Sequence, residues 1–191
     1  RSSDLAADLG IFIRSFDKIF FVGIIRGNSP GKEKPAIIGG IMNTGKELDS
    51  GSYTMIKEAK EEANLKLEYN GKMEDLRKNY DIEEIPVDVK NFKDFTPKFD
   101  AIHACIYYVG TFKTTEQERN KDGTKRVYAT ITYCILIDVP IKKLDKNILS
   151  RVFTAGDDAK ALFIQEVTEA FEKLHEINIP PFGLNHHPLL F

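Results

Sequence analysis

The chain has 191 residues, 29 acidic and 27 basic side chains, and a formal net charge of −2. That length suits one domain able to bury about 70% of its unfolded surface without disulfide staples, and the near-even charge leaves no basic footprint for nucleic acid. No apolar run reaches the ~20 residues of a membrane span, and RSSDLAADLG at the start lacks both the apolar core of a signal peptide and an initiator Met, as expected of a trimmed or partial chain.

In chain order, GIFIRS and KIFFVGIIR are strand-like runs around SFD, the pattern of a hairpin. GNSPGKEKP follows as a Gly/Pro loop, then the short strand AIIGG, which delivers the chain to IMNTGKELDSGS and a helix. LKLEY alternates like a strand. Residues 70 to 99 read as a polar, irregular insertion with a helix around Met73–Lys78. DAIHACIYYVG and RVYATITYCILIDV are the two strongest strands, with the polar TTEQERNKDGTK between them as an exposed hairpin connection. KALFIQEV is a shorter strand, TEAFEKLHEI is helical in pattern, and the tail NHHPLLF follows the break at Pro180–Pro181. Interleaved helices with strands joined by hairpins predict one α/β (α+β) domain over 1–191, a mixed sheet with helices packed on it.

Cys105 and Cys134 fall inside apolar strands and carry no local motif. They read as buried, reduced thiols, which points to a reducing compartment, most simply the cytoplasm. His103, His186 and His187 do not have the spacing of a zinc site.

The helix IKEAKEEANLKL carries the most specific signal. Apolar Ile56, Ala59 and Ala63 repeat on one side, while Glu58, Glu61 and Glu62 crowd a flank. The like-charged i, i+4 pair Glu58 and Glu62 alone costs roughly 0.2–0.5 kcal/mol, and Glu61 and Glu62 sit towards the end where the helix dipole disfavours acid. Such a run reads either as solvated helix surface or as hard oxygen ligands for Mg²⁺. Three neighbouring features favour the second: Gly39–Gly40 just upstream lets a ligand approach the backbone, the carboxylates are clustered, and Asn64 is suited to a left-handed helix end. Asp49 or Ser50 is the expected cap at the other end.

GGIMNTGKELDSGSYTMIKEAKEEANL resembles the Nudix box, G-x5-E-x7-R-E-U-x-E-E-x-G-U with U aliphatic. Gly40 matches the first glycine, Glu58, Glu61 and Glu62 the metal-ligand glutamates, and Ala59 and Leu65 the apolar positions. Lys46 stands at the first glutamate with Glu47 beyond it, ten residues rather than seven lead to Lys57, Lys57 replaces the arginine, and Asn64 replaces the last glycine. In the family that arginine and early glutamate brace the loop against the helix, and lysine cannot reproduce the bidentate fork. IIRGNSPGKEKPAIIGGIM, AGDDAKALFIQEV and LNHHPLL are similar to segments of ADP-ribose pyrophosphatases, so the resemblance runs from about Gly10 to Leu190.

The resemblance implies the Nudix fold, a mixed β-sheet sandwiched between helices, and hydrolysis of a nucleoside diphosphate linked to another moiety, ADP-ribose to AMP and ribose 5-phosphate foremost. It implies Mg²⁺, or Mn²⁺, held by Glu58, Glu61 and Glu62 with the Gly40 carbonyl. The base stays open between a box glutamate and a loop acid, Glu116, Glu118 or Asp122, with Glu118 the catalytic candidate carried forward. Arg26, Gly39, Gly40, Asp157 and Asp158 are the substrate-binding candidates, and Tyr128, Tyr133 and Phe163 are available for adenine. Two alternatives remain: a Nudix-fold module that binds ADP-ribose and turns it over poorly or not at all, and a Nudix pyrophosphatase for other nucleotides such as dinucleoside polyphosphates. The expected partner is a small nucleotide diphosphate, not nucleic acid or membrane, with a homodimer and a mitochondrial location as further expectations by resemblance.

Overall fold

The computed structural model describes residues 4–28, 32–43, 48–92, 100–119, 123 and 125–167, without the side chains of residues 4, 114–119, 125 and 126. Apolar residues build the first two strands, β1 (Asp4–Ser15), which begins six residues before the expected GIFIRS run, and β2 (Lys18–Arg26), buried without alternation from Phe20 to Ile24; they pair antiparallel as the expected hairpin. Along β1, Ala7, Leu9, Ile11 and Ile13 are buried on one face, the period of two that a strand packed against helices requires. The short AIIGG run forms two pieces, β3 (Pro35–Ala36) and β4 (Ile38–Ile41). The acidic helix is α1 (Gly51–Ala63), followed by β5 (Leu67–Tyr69), α2 (Met73–Lys78) and β6 (Glu84–Val89). The chain continues through β7 (Ile102–Arg119), β8 (Lys125–Asp138), α3 (Lys146–Val152) and β9 (Ala159–Glu166).

The strands form one mixed sheet ordered β3-β2-β1-β8-β7-β6-β5, with β4 also on β1 and β9 on β2. The pairing of β1 with β8 is parallel and the others are antiparallel, which is the mixed sheet expected of this α+β chain. One exchange of partners positions the site. Ala6–Leu9 of β1 pair with β4, whereas Ile11–Ser15 pair with β2. Beyond Val22 the end of β2 pairs with β3 in place of β1, while β9 lies along its other edge from Phe20 to Arg26. Arg26 at the end of β2 and the glycines of β4 thus belong to two diverging strands.

Met55, Ile56, Ala59 and Ala63 of α1 are buried in the main core with Leu9, Ile38, Ile135 and Phe153. A smaller cluster of Phe21 and Val167, with Phe12, Ile19, Ile37 and Phe163 against it, lies apart from that core. The second helical layer expected from TEAFEKLHEI, and the tail NHHPLLF, fall outside the described residues.

Three elements differ from the sequence reading. The stretch read as irregular contains β6, where Ile85, Val87 and Val89 are buried and alternate with Glu84, Pro86 and Asp88. Pro86 obscured that pattern; it is tolerated because β5 covers β6 only from Val87 to Val89, leaving an edge at the proline. The polar connection TTEQER is strand, since β7 runs on to Arg119 and pairs with β8 through Arg119↔Lys125. Helix α3 was not anticipated. It buries only Leu149 and Val152, too short an apolar repeat to read, and is started by Asp145, whose carboxylate accepts from the Ile148 N–H at 2.9 Å.

Candidate functional site

The site is built on α1. At its N-terminus the Ser50 oxygen accepts from the Tyr53 N–H at 3.1 Å, so Ser50 rather than Asp49 is the cap. At the far end Asn64 takes φ 52° and ψ 29°, and the N–H groups of Asn64 and Leu65 bond the carbonyls of Lys60 and Ala59, both at 3.1 Å. Asparagine tolerates this left-handed conformation better than most residues, so the helix stops where the box pattern has glycine. Apolar positions 55, 56, 59 and 63 face the core, which turns Glu58 and Glu62 towards β4.

Glu62 is 5% exposed, and its Oε1 accepts from the Gly39 N–H at 3.0 Å. Glu58 is half-buried and lies directly over Gly40: a Cβ there would sit 2.6 Å from the Glu58 carboxyl carbon and 2.7 Å from its Oε1. A Cβ at Gly39 would sit 2.5 Å from the Ala7 carbonyl oxygen. Gly39 therefore excludes a side chain against the β1 backbone, while a side chain at Gly40 would have to displace the Glu58 carboxylate.

The loop after α3 closes the far side. The Gly156 N–H donates to the Glu62 carbonyl at 2.9 Å, and a Cβ on Gly156 would come within 1.4 Å of the Glu61 carbonyl oxygen. This contact carries Asp158 to the acids. Burial raises the Glu58 carboxyl to about 7, with Glu61 and Asp158 adding repulsion against the opposing field of Lys57. Burial raises Glu62 further, to about 8, against the stabilising Gly39 hydrogen bond and the field of Arg26, with Glu58 and Asp158 adding to the rise. Two buried or half-buried acids raised towards neutrality, with further acids beside them, mark a candidate functional site.

Glu61 is separate in part. It is exposed and, alone of the three, lines a hollow of about 420 Å³ between α1 and β5, with Tyr53, Lys57, Lys60 and Tyr69. It still acts electrostatically on Glu58. Among the described residues, no group of three or more His, Cys, Asp or Glu is gathered closely enough to hold a metal ion.

Of the substrate candidates, Arg26, Gly39, Gly40 and Asp158 are brought to these glutamates, while Asp157 is simply exposed in the turn beside Asp158. The Glu116 and Glu118 side chains and all of Asp122, Lys46 and Glu47 lie outside the described residues. The aromatics do not make one slot. Tyr133 is buried in the main core, with its hydroxyl 3.1 Å from the Ser52 Oγ, and Phe163 packs beside Phe21 in the other cluster. Tyr128 is also buried. Both cysteines are free, and burial raises the Cys134 thiol to about 11, as suits a structural residue. His103 pairs with Asp88 at the surface.

Several solved structures are similar to this chain. A MutT/nudix family protein from Enterococcus faecalis aligns at 18% identity and a TM-score of 0.47, over 87% of this chain and 44% of that one. The NUDIX domain of Shewanella oneidensis NrtR, solved with ADP ribose, aligns at 9% identity and 0.45, over 90% and 78%. A C. elegans Ap4A hydrolase aligns at 12% identity and 0.46, over 88% and 84%. These neighbours are Nudix/MutT proteins, the family that the box residues resemble. The chain spans less than half the length of the Enterococcus protein. No family model and no curated protein matches the chain in sequence.

Sequence reasoning missed the partners of α1's N-terminus. Arg77 of α2 is ion-paired with Asp49 and Ser50 donates to Leu76, contacts between residues more than 25 positions apart with no local signature.

Proposed function

We propose that this chain is a Mg²⁺-dependent Nudix hydrolase that cleaves a nucleoside diphosphate linked to another moiety, with ADP-ribose, giving AMP and ribose 5-phosphate, as the leading substrate. The observation that carries the reading is the placement of Glu58 and Glu62 against Gly40 and Gly39, with proton affinities raised to about 7 and 8. No ion pair to either carboxylate occurs among the described residues. A hard dication offsets that repulsion, and Mg²⁺ suits few carboxylates because it keeps waters and takes substrate phosphate as the rest of its shell.

Glu58 and Glu62 would hold the metal, with Glu61 and the Gly40 carbonyl as further ligands. When bound, the ion neutralises phosphoryl oxygens and makes a water more acidic. The chain's own part is positioning. Arg26 sets positive charge beside Glu62, where a diphosphate would need it, and the absence of a side chain at Gly40 lets the Glu58 carboxylate lie against the β4 backbone. The base is proposed to be one of the box glutamates, Glu58, Glu61 or Glu62, or the loop acid Glu118. Mn²⁺ is the expected substitute, and the proposed setting is a reducing compartment, cytoplasmic or mitochondrial.

One observation favours a second reading. Glu61 is exposed and does not gather with the other two into a three-ligand group, as a module that binds ADP-ribose but hydrolyses it poorly would show. Incubation with Mg²⁺ and a panel of ADP-ribose, dinucleoside polyphosphates and nucleoside triphosphates decides between them. AMP from ADP-ribose, lost in Glu58→Gln and Glu62→Gln, is the expected result. Tight ADP-ribose binding without turnover under Mg²⁺ or Mn²⁺ establishes the binding module, and hydrolysis of another member alone moves the substrate.

A further inference from the structure

From the contacts at the start of α1, we infer that Arg77 of α2 is a positioning residue for the acidic helix, acting through Asp49. The inference rests on the proposed hydrolase reading for its catalytic consequence.

Four contacts tie residues 76–80 to residues 48–50. The Arg77 Nε donates to the Asp49 carboxylate. The Ser50 N–H donates to the Arg77 carbonyl at 2.9 Å, the Ser50 hydroxyl donates to the Leu76 carbonyl at 2.7 Å, and the Tyr80 hydroxyl donates to the Leu48 carbonyl. Asp49 is 5% exposed and Ser50 and Leu76 are fully buried, so the inner part of the seam is enclosed, with Tyr80 at its open edge. The Arg77 guanidinium also lies 5.9 Å from the Tyr53 ring centroid, over the first turn of α1, and 3.6 Å from Glu74 on its own helix. Arginine suits this place because one planar, permanently charged group can bond a carboxylate and stack on an aromatic ring together.

The seam acts on the site through the rigidity of α1. Ser50 is the cap that defines where the helix starts, and both its backbone and its side chain are held by α2. Glu58 lies two turns on from Ser50 and Glu62 three. A shift of the first turn therefore moves Glu58 against Gly40, where even a Cβ would sit 2.6 Å from its carboxyl carbon, and strains the 3.0 Å bond from the Gly39 N–H to Glu62. Lys57, on the helix itself, is exposed.

Arg77→Gln, Asp49→Asn and Arg77→Lys test the inference, each read three ways: kcat and KM for ADP-ribose, the Mg²⁺ concentration for half-maximal rate with direct Mn²⁺ titration, and amide exchange across residues 51–58. Expected are a fall of 10-fold or more in kcat or metal affinity for Arg77→Gln, KM within about 3-fold, faster exchange in the first turn of α1, and partial recovery in Arg77→Lys. The double Arg77→Gln, Asp49→Asn variant should be no worse than the worse single one, because both remove one interaction. Lowered melting temperature with kcat, metal response and exchange unchanged would make the pair merely structural and overturn the inference. If the wild type hydrolyses no diphosphate, the hydrolase reading fails, while Mn²⁺ titration and exchange still judge the seam. If Arg77→Gln does not fold, Tyr80→Phe, at a half-exposed residue that loses only its bond to Leu48, replaces it: a 2-fold or greater fall in kcat supports the seam and an unchanged rate refutes it.

Discussion

Replacing Glu62 with glutamine should stabilise the metal-free protein above neutral pH while removing the proposed metal-dependent activity. In the folded chain the Glu62 carboxyl is raised from 4.5 to about 8, with burial the largest cause. An acid with a raised folded pKa binds more protons in the native state than in the unfolded state across that interval. Stability is therefore full below about 4.5 and falls as pH rises towards 8, where the buried carboxylate must ionise. At about 1.4 kcal/mol per pH unit the interval corresponds to at most about 5 kcal/mol, and water entering the acid cluster reduces the expected loss to about 2–4 kcal/mol. Glutamine keeps an oxygen for the Gly39 N–H but cannot ionise. Urea unfolding in EDTA from pH 5 to 9 measures the effect. The wild type should weaken steadily with pH and Glu62→Gln should be flatter, the two meeting near pH 5 and separating by about 2–4 kcal/mol at pH 8.5. Added Mg²⁺ should restore the wild type at high pH and leave the variant unmoved. Parallel curves in EDTA would refute the buried, proton-holding assignment of Glu62.

Two further substitutions probe how the site is held. Gly156→Ala would set a Cβ 1.4 Å from the Glu61 carbonyl oxygen, backbone that cannot yield, so the loop should detach with its hydrogen bond to Glu62 at a cost of about 2–4 kcal/mol by chemical denaturation. Gly27→Ala, where the nearest atoms are at an ordinary 3.5 Å, should change stability by less than about 1 kcal/mol in the same assay. Equal effects would contradict the docking of the loop on α1. Ser50→Ala removes both the helix cap and the bond to Leu76, and a loss of about 1–3 kcal/mol in thermal unfolding is expected, with Ser50→Thr close to wild type.

Local chemistry explains what could be read early. Apolar runs placed β2, β7, β8 and the second half of β1: burial on one face leaves a repeat of two, as in β8, while burial on both leaves a continuous run, as in β2. The acids of α1, its Ser50 cap and its left-handed Asn64 were legible for the same reason: caps and helix faces are set by residues within four positions of one another. Where the repeat was interrupted by Pro86, as in β6, or confined to one turn, as in α3, the pattern was too short to register.

By itself the sequence determined the acidic helix, the glycines before it, the mixed order of strands and helices, and the absence of a long apolar span. Only the tertiary structure decided that Glu58 and Glu62 face β4 while Glu61 borders a different hollow, because three acids on one helix flank diverge by the angle each residue adds. It also decided that Asp158 and Arg26 act on the same acids and that Arg77 holds Asp49. Those pairings join residues 28 to 100 positions apart, and hydrogen bonds and charge act through space, so nothing in the intervening chain announces them.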